Sequence, residues 1–436
     1  MASVVVVGGG LAGLACAFRL TRAGHEVELL EREAEAGGSC RADARGRFVL
    51  DAGSVFDLEG APTLRGLARA LGISDRLRPL ARASCAVLRD FALHPVDPRR
   101  PLALAASRLL SLPARARLAR LGLELARRWP HLDPLRPEAL AAPDRVDAAA
   151  VLRRTVGAEA LEYLLAPLLA TRSPGGLART SWAAALLALR DELGLRRPGS
   201  LSHGDGTLTR ALARRVNLRP GCQVLSVETE SGGARVTYRA RGHTSRVLAD
   251  AAVVALPARA AAALCPKLTP AERGFLEQAR GARAIEVLLL LDTPPATLRH
   301  HRILFPRPEG LALAALALDH DRPGVAPPGA GLLRARLTPE ASERLWAAPD
   351  EALRDHVQEQ LGRTPIGRLR AREFAVRREA ESPLCEPGAL SRLARFQARL
   401  DRSPRLAFAG DPLPGPGLEA AVASGARAAT EIARDL

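Results

Sequence analysis

The chain has 436 residues, 47% of them hydrophobic, enough for two domains and a sizeable core. Its 63 basic and 47 acidic residues give a net charge of +16, and Lys267 is the sole lysine. No run of 18 apolar residues is present, which excludes a spanning helix; six Cys without a C-x-x-C pair and nine His without ligand spacing argue against a disulfide framework and a metal site.

The first element is Val4-Val5-Val6-Val7, which reads as a parallel strand buried on both faces. Gly8 permits a tight turn, Gly10 lets backbone approach a pyrophosphate, and Gly13 lets the next helix pack on the sheet. That helix runs from about Leu11 to Ala23. Its first residues, Leu11 and Ala12, carry free N–H groups at a positive dipole end, and Gly24 caps its far end. A second strand, Val27 to Leu30, ends at Glu31, 18 residues after Gly13. A carboxylate there accepts hydrogen bonds from ribose hydroxyls and repels a 2′-phosphate. Strand, glycine turn, helix, cap and acid together form a dinucleotide-binding fingerprint, which does not by itself choose between NAD and FAD.

Residues 80–200 are rich in Leu, Ala and Arg and read as mostly helical. Within them, Arg108, Arg115, Arg117, Arg120, Arg127 and Arg128 alternate with leucines and Trp129. Two readings stand: a helix with its apolar face in the core and its Arg face in water, or a basic amphipathic helix lying on a membrane. The overall charge has the same two readings, genome composition spread over the surface or attraction to anionic lipid and other acidic groups. A hairpin is expected at Gln223–Glu228 and Arg235–Arg239, and a buried strand at Ala252–Leu256. Further strands are expected at Ala284–Leu291, Leu311–Ala317 and Gly331–Leu337, with a Pro/Gly-rich loop at 322–330. His300 and His301 are expected on an exposed loop. Ala407–Ala409 reads as a last buried strand, followed by a helix from about Gly417.

The stretch Glu31-Arg32-Glu33-Ala34-Glu35-Ala36-Gly37-Gly38 resembles the E-x(5)-G-G continuation of the flavin amine oxidase and protoporphyrinogen oxidase superfamily. Further pieces resemble it in order. Asp51-Ala52-Gly53-Ser54 is similar to the segment that passes near the flavin. Gly204-Asp205-Gly206-Thr207-Leu208 resembles a family helix start, and Val224 opens the strand by the adenine. Asp250 to Pro257 matches "a-D-x-V-I-x-A-x-P". Phe408-Ala409-Gly410-Asp411 with Gly417 to Gly425 matches the C-terminal flavin motif. The residues 156–169 resemble a helix of the protoporphyrinogen oxidase branch.

The resemblance implies an α/β fold: a Rossmann-like FAD-binding domain (1–80, 200–260 and 396–436) interleaved with an α+β substrate domain (81–199 and 261–395), which combines a mixed sheet with a helical part at 81–199. It implies non-covalent FAD held by Gly8, Gly10, Leu11, Ala12, Gly13, Glu31, Arg32, Gly38, Ser39, Arg41, Gly53, Ser54, Val224, Gly410, Asp411, Leu418 and Ala421. It implies hydride transfer to flavin N5 from a bulky, mainly apolar small molecule, and assigns no acid or base.

Two departures bear on the branch, and a third on the flavin contacts. Amine-oxidising members usually carry a Lys in the strand corresponding to 284–291, and none is there. One of their two caging aromatics falls at the position of Gly417, and the chain has only two Tyr, Tyr163 and Tyr238. Where relatives have Arg or Lys after the paired glycines, this chain has Ser39, so Arg41 substitutes for it or the contact is lost. The missing Lys and ring point to protoporphyrinogen oxidase-like or desaturase-like chemistry. An amine or amino-acid oxidase with an unusual site, a flavin-neutral isomerase and a basic binding protein remain the alternatives. A cytoplasmic location is expected, with peripheral contact at the inner membrane face as the second reading, and no specific nucleic acid partner.

Overall fold

The four consecutive valines lie in the strand Ser3–Val7, and none of the four is more than 2% exposed. The structure is a computed structural model that describes residues 1–97, 100, 108–133, 137–398, 402–410 and 417–436. Ser3–Val7 is the centre of a five-stranded sheet in the order Asn217–Arg219, Glu26–Leu30, Ser3–Val7, Ala251–Val254, Leu406–Phe408. Every neighbouring pair is parallel, so all five carboxyl ends share one edge.

Parallel sheets need both faces covered. One face packs Val4, Val6, Leu29 and Val253 against the helices Leu11–Arg22 and Leu418–Asp435. The other packs Val5, Val7, Leu30 and Val254 against helix Ala258–Leu264 and the meander Cys222–Glu230, Gly233–Ala240, His243–Ala249. Burying each valine contributes about 1.5–3 kcal/mol relative to exposure. The closing helix approaches the first one so closely that a side chain at Gly425 would start 2.2 Å from the Ala12 carbonyl oxygen.

A second, seven-stranded mixed sheet runs Glu373–Pro383, Gly281–Leu291, Gly331–Leu337, Leu313–Leu318, Arg302–Leu304, Cys85–Arg89, Ala92–Val96. Side chains alternate across it. Ile285, Val287, Leu289, Leu333 and Ala335 face the helices Pro339–Arg344 and Asp350–Gly362. On the opposite face Leu288, Leu290 and Leu332 pack on Phe48, Leu50 and Val325, which ties this sheet to the first part of the chain.

Residues 81–199 are less helical than their composition suggests. They open with the hairpin Cys85–Arg89 and Ala92–Val96, whose first strand pairs in parallel with Arg302–Leu304. The helices Leu112–Arg128, Ala148–Ala160 and Trp182–Gly194 follow. The expectation for the histidine pair is corrected. His301 is 7% exposed, its Nδ1 is 3.5 Å from Asp321, and His300 bonds the Ser84 hydroxyl. A short polar pair carries no local sign that a carboxylate will arrive from the turn Asp319–Asp321. Among the described residues, no helix is long and apolar enough to cross a membrane.

Candidate functional site

The glycine turn sits at the carboxyl edge of the parallel sheet, where ligands bind in open α/β sheets. Gly8 has φ +103°, and a Cβ on it would lie 2.5 Å from the Ala255 carbonyl oxygen. A Cβ on Gly13 would lie 2.0 Å from the Gly8 oxygen, so the helix can begin only without a side chain there. Gly10 differs: a Cβ there would meet no atom of the described residues within 4 Å. Gly10 is also the helix N-cap, and no side chain caps the helix. The N–H groups of Leu11, Ala12 and Gly13 therefore have no intrahelical acceptor. Open space and unpaired donors at a positive helix end are what a diphosphate requires.

The following loop folds back over this turn. Glu31 ends the second strand, its Oε2 accepting from Gly9 N at 2.6 Å and its Oε1 from Glu33 N at 2.8 Å. Gly37 N donates to Gly9 O at 2.8 Å, and Gly38 lies against Gly10. Ser39 is therefore brought to the lip of the turn. Arg32 is not: it is exposed and pairs with Glu33. Arg41 is half-exposed, with Asp43 3.4 Å away. Val224 lies two residues beyond Cys222, whose N–H donates to the Glu31 carbonyl. Gly410 follows the last strand and donates to the Ser424 hydroxyl of the closing helix at 2.9 Å. Leu418 and Ala421 occupy that helix's first turn. Asp411 lies outside the described residues.

Gly53 and Ser54 rest on a buried network of charges that sequence reading missed. Arg322 donates to both carboxylate oxygens of Asp51, at 2.6 and 2.7 Å. Asp51 in turn accepts from Asp205 N and Gly53 N. Asp205 accepts from Ser54 N at 3.2 Å and from Ser54 Oγ at 2.6 Å. Burial opposes the charge on Asp51, but the Arg322 guanidinium prevails and holds the carboxyl well below the usual range. Burial, and then the Asp51 charge, push Asp205 up to about 6. Asp51 and Asp205 stood inside recognisable motifs. Their partner Arg322 stands in the run Asp319-His320-Asp321-Arg322, which looks like a solvated turn. Instead each member reaches a separate partner: Asp319 takes Arg334, His320 contacts Leu332 backbone, Asp321 takes Arg82, and Arg322 takes Asp51.

The mixed sheet presents charge on the face that carries Leu288 and Leu290. Glu286, Arg336 and Arg377 are cross-strand neighbours. Glu286 accepts from Arg334 at 2.9 Å and from Arg336 at 3.1 Å, and these cations overcome burial to keep it below its ordinary range. Glu286 thus occupies the inner face of strand Gly281–Leu291, a strand that holds no Lys. Lys267 pairs with Glu230 at the end of the meander strand Cys222–Glu230. Gly417 has φ +128°, a conformation that favours glycine, and a Cβ on it would meet no described atom within 4 Å.

Comparison with known proteins follows from this geometry. The sequence model of the family described as flavin containing amine oxidoreductase matches residues 11–433. A coproporphyrinogen III oxidase of Mycobacterium tuberculosis (strain H37Rv) is 28% identical over 455 aligned residues, covering 99% of this chain and 97% of that protein. A hydroxysqualene dehydroxylase of Rhodopseudomonas palustris is 37% identical over 109 residues, covering 24% of this chain and 25% of that protein. A crystal structure assigned as a protoporphyrinogen oxidase of Exiguobacterium sp. 255-15 superposes with a TM-score of 0.78 at 21% identity, covering 100% and 99% of the two chains. Cyclohexylamine oxidase of Brevibacterium oxydans IH-35A gives 0.77 at 18% identity with the same coverage. At those identities the structural likeness carries the fold alone.

Proposed function

The chain belongs to the flavin containing amine oxidoreductase family, and from that premise we propose that it dehydrogenates a bulky, mainly apolar substrate with non-covalently bound FAD. The residues at the turn fit the cofactor: open space over Gly10, uncapped N–H groups at Leu11 to Gly13, and the Glu31 carboxylate at the end of the neighbouring strand. FAD, when bound, supplies the two-electron acceptor. Glu419 directs its carboxylate to Thr63 N and Leu64 N, so the acid in the closing helix's first turn serves the helix Pro62–Leu71. The dipole of the closing helix is left to favour negative charge at its own N-terminus.

The observation that carries the choice of substrate is Gly417. Gly417 carries no ring where amine-oxidising members of the family place one of two, and a Cβ there would meet no described atom within 4 Å. The absence of a Lys from strand Gly281–Leu291, whose one acid, Glu286, is bound to Arg334 and Arg336, supports the same reading. The relative that spans the whole chain acts, by its name, on coproporphyrinogen III. A reduced tetrapyrrole is therefore the first substrate candidate, and a polyene or hydroxysqualene-like lipid the second.

The test is an anaerobic panel of reduced tetrapyrroles, polyenes and amines added to the purified flavoprotein while the flavin absorbance is followed. Bleaching by a tetrapyrrole or polyene supports the reading, and bleaching by a primary amine alone overturns it.

Helix Leu112–Arg128 supports a further proposal, peripheral contact with an anionic membrane. Ala114, Leu121 and Leu125 are its buried face, while Leu112 and Leu123 are 76% and 63% exposed beside Arg120 and Arg127. Exposed leucines interleaved with arginines suit a lipid surface.

A further inference from the structure

A diphosphate lying over Gly10 brings two negative charges, and the end of one helix offers roughly half a positive charge. Uncapped N–H groups cover part of the difference. A basic side chain is the usual remainder, and arginine is the residue best matched to phosphate oxygens. Neither arginine close in sequence supplies it. Arg32 is 72% exposed and pairs with Glu33, and Arg41 is turned to Asp43.

A third arginine arrives from the other sheet. Arg377, in the edge strand Glu373–Pro383, donates from Nη2 to the Ser39 carbonyl oxygen at 3.3 Å. Ser39 follows Gly38, and Gly38 packs so closely on the turn that a Cβ there would lie 3.1 Å from Gly10 Cα. The Arg377 guanidinium is thus held at the lip of the space over Gly10, across 338 residues of sequence from Ser39. Its cross-strand neighbour Glu286 feels the Arg377 charge only after those of Arg334 and Arg336. Glu286 stands opposite Arg377 in the ladder, but its oxygens accept from Arg334 and Arg336.

We propose that Arg377 supplies the cation for the diphosphate of FAD, in place of the basic residue missing at Ser39. This rests on the FAD reading above. It also makes the mixed sheet part of the cofactor site, because a dinucleotide held by both the glycine turn and Arg377 bridges the two sheets.

The test is titration of the full-length apoprotein with FAD and, separately, with ADP, which carries the diphosphate but no flavin. The expected result is at least tenfold weaker binding of both by Arg377→Gln, a smaller loss for Arg377→Lys, and less than a twofold change for Arg372→Gln, an exposed arginine that pairs with Asp292 and Glu373. Ser39→Arg placed in the Arg377→Gln background should recover most of the loss, which also separates lost charge from poor folding. Failure of the unaltered apoprotein to bind FAD overturns the cofactor reading itself. Binding within twofold of the unaltered protein by Arg377→Gln overturns the role of Arg377 alone. A loss for FAD with none for ADP overturns the assignment to the diphosphate.

Discussion

Arg322 meets Asp51 through two parallel hydrogen bonds of 2.6 and 2.7 Å, and neither side chain reaches solvent. The pair belongs to a chain of contacts that also includes Asp205, Asp319, Glu286, Arg334 and Arg336. Four carboxyls therefore share three guanidiniums, and the excess acid falls on Asp205, whose Oδ1 has no hydrogen-bond partner. Burial first, and the Asp51 charge second, raise Asp205 to about 6. A carboxyl raised by folding contributes stability that is complete below its unfolded range and is lost as the pH rises through about 6. Asp205→Asn keeps an acceptor for Ser54 and removes that titration. Urea unfolding should show the variant gaining, relative to the parent protein, on the order of 2 kcal/mol more at about pH 7.5 than at about pH 4. An equal difference at both pH values would exclude a titrating Asp205.

Gly10 and Gly13 should separate cofactor binding from folding. A Cβ at Gly10 meets no atom of the described residues, and its φ of −67° suits alanine. Gly10→Ala should leave apoprotein stability within about 0.5 kcal/mol while weakening FAD at least about tenfold. Gly13→Ala places a methyl 2.0 Å from the Gly8 oxygen and should cost about 2–5 kcal/mol in the apoprotein. Chemical denaturation together with FAD titration reads both. A Gly10→Ala protein with unchanged affinity would show that nothing lies over that residue.

Glu31 fastens the loop to the turn by accepting from Gly9 N and Glu33 N. Glu31→Ala should weaken FAD by about tenfold or more, measured by quenching of flavin fluorescence. Glu31→Gln keeps an acceptor but no charge, and should lose less. Full affinity in Glu31→Ala would refute the ribose contact.

The exposed side of helix Leu112–Arg128 can be tested with vesicles. The protein should sediment with phosphatidylserine vesicles at low salt and not with phosphatidylcholine vesicles, and Leu123→Asp should reduce binding by about fivefold. A protein that stays in the supernatant with both would rule out the membrane contact.

What the sequence made legible was local. Four valines, three spaced glycines and a following acid specify a strand, a turn and a helix ahead of the second strand within about thirty residues, and Gly331–Leu337 forms a strand with the expected bounds. The charge network was not legible, because Arg322 and Asp51 are separated by 271 residues and nothing near either marks the other. The hairpin from Cys85 to Val96 escaped for the same reason, since its partner strand Arg302–Leu304 is remote in the chain, and His301 escaped because the turn Asp319–Asp321 folds back onto it. Arg377 looked like one arginine among many. Its place beside Ser39 follows from the sheet register that seats Glu373–Pro383 next to Gly281–Leu291.

The contact between Gly425 and Ala12 sets an order of assembly during synthesis. The turn that starts the sheet leaves the ribosome some four hundred residues ahead of the strand Leu406–Phe408 and the helix that covers Leu11–Arg22. Until then one flank of the central helix has no cover, and the nascent chain must shelter an apolar surface without its final partner. Cofactor capture is therefore a late event in the life of each molecule, and a chain stalled before residue 406 should emerge without it.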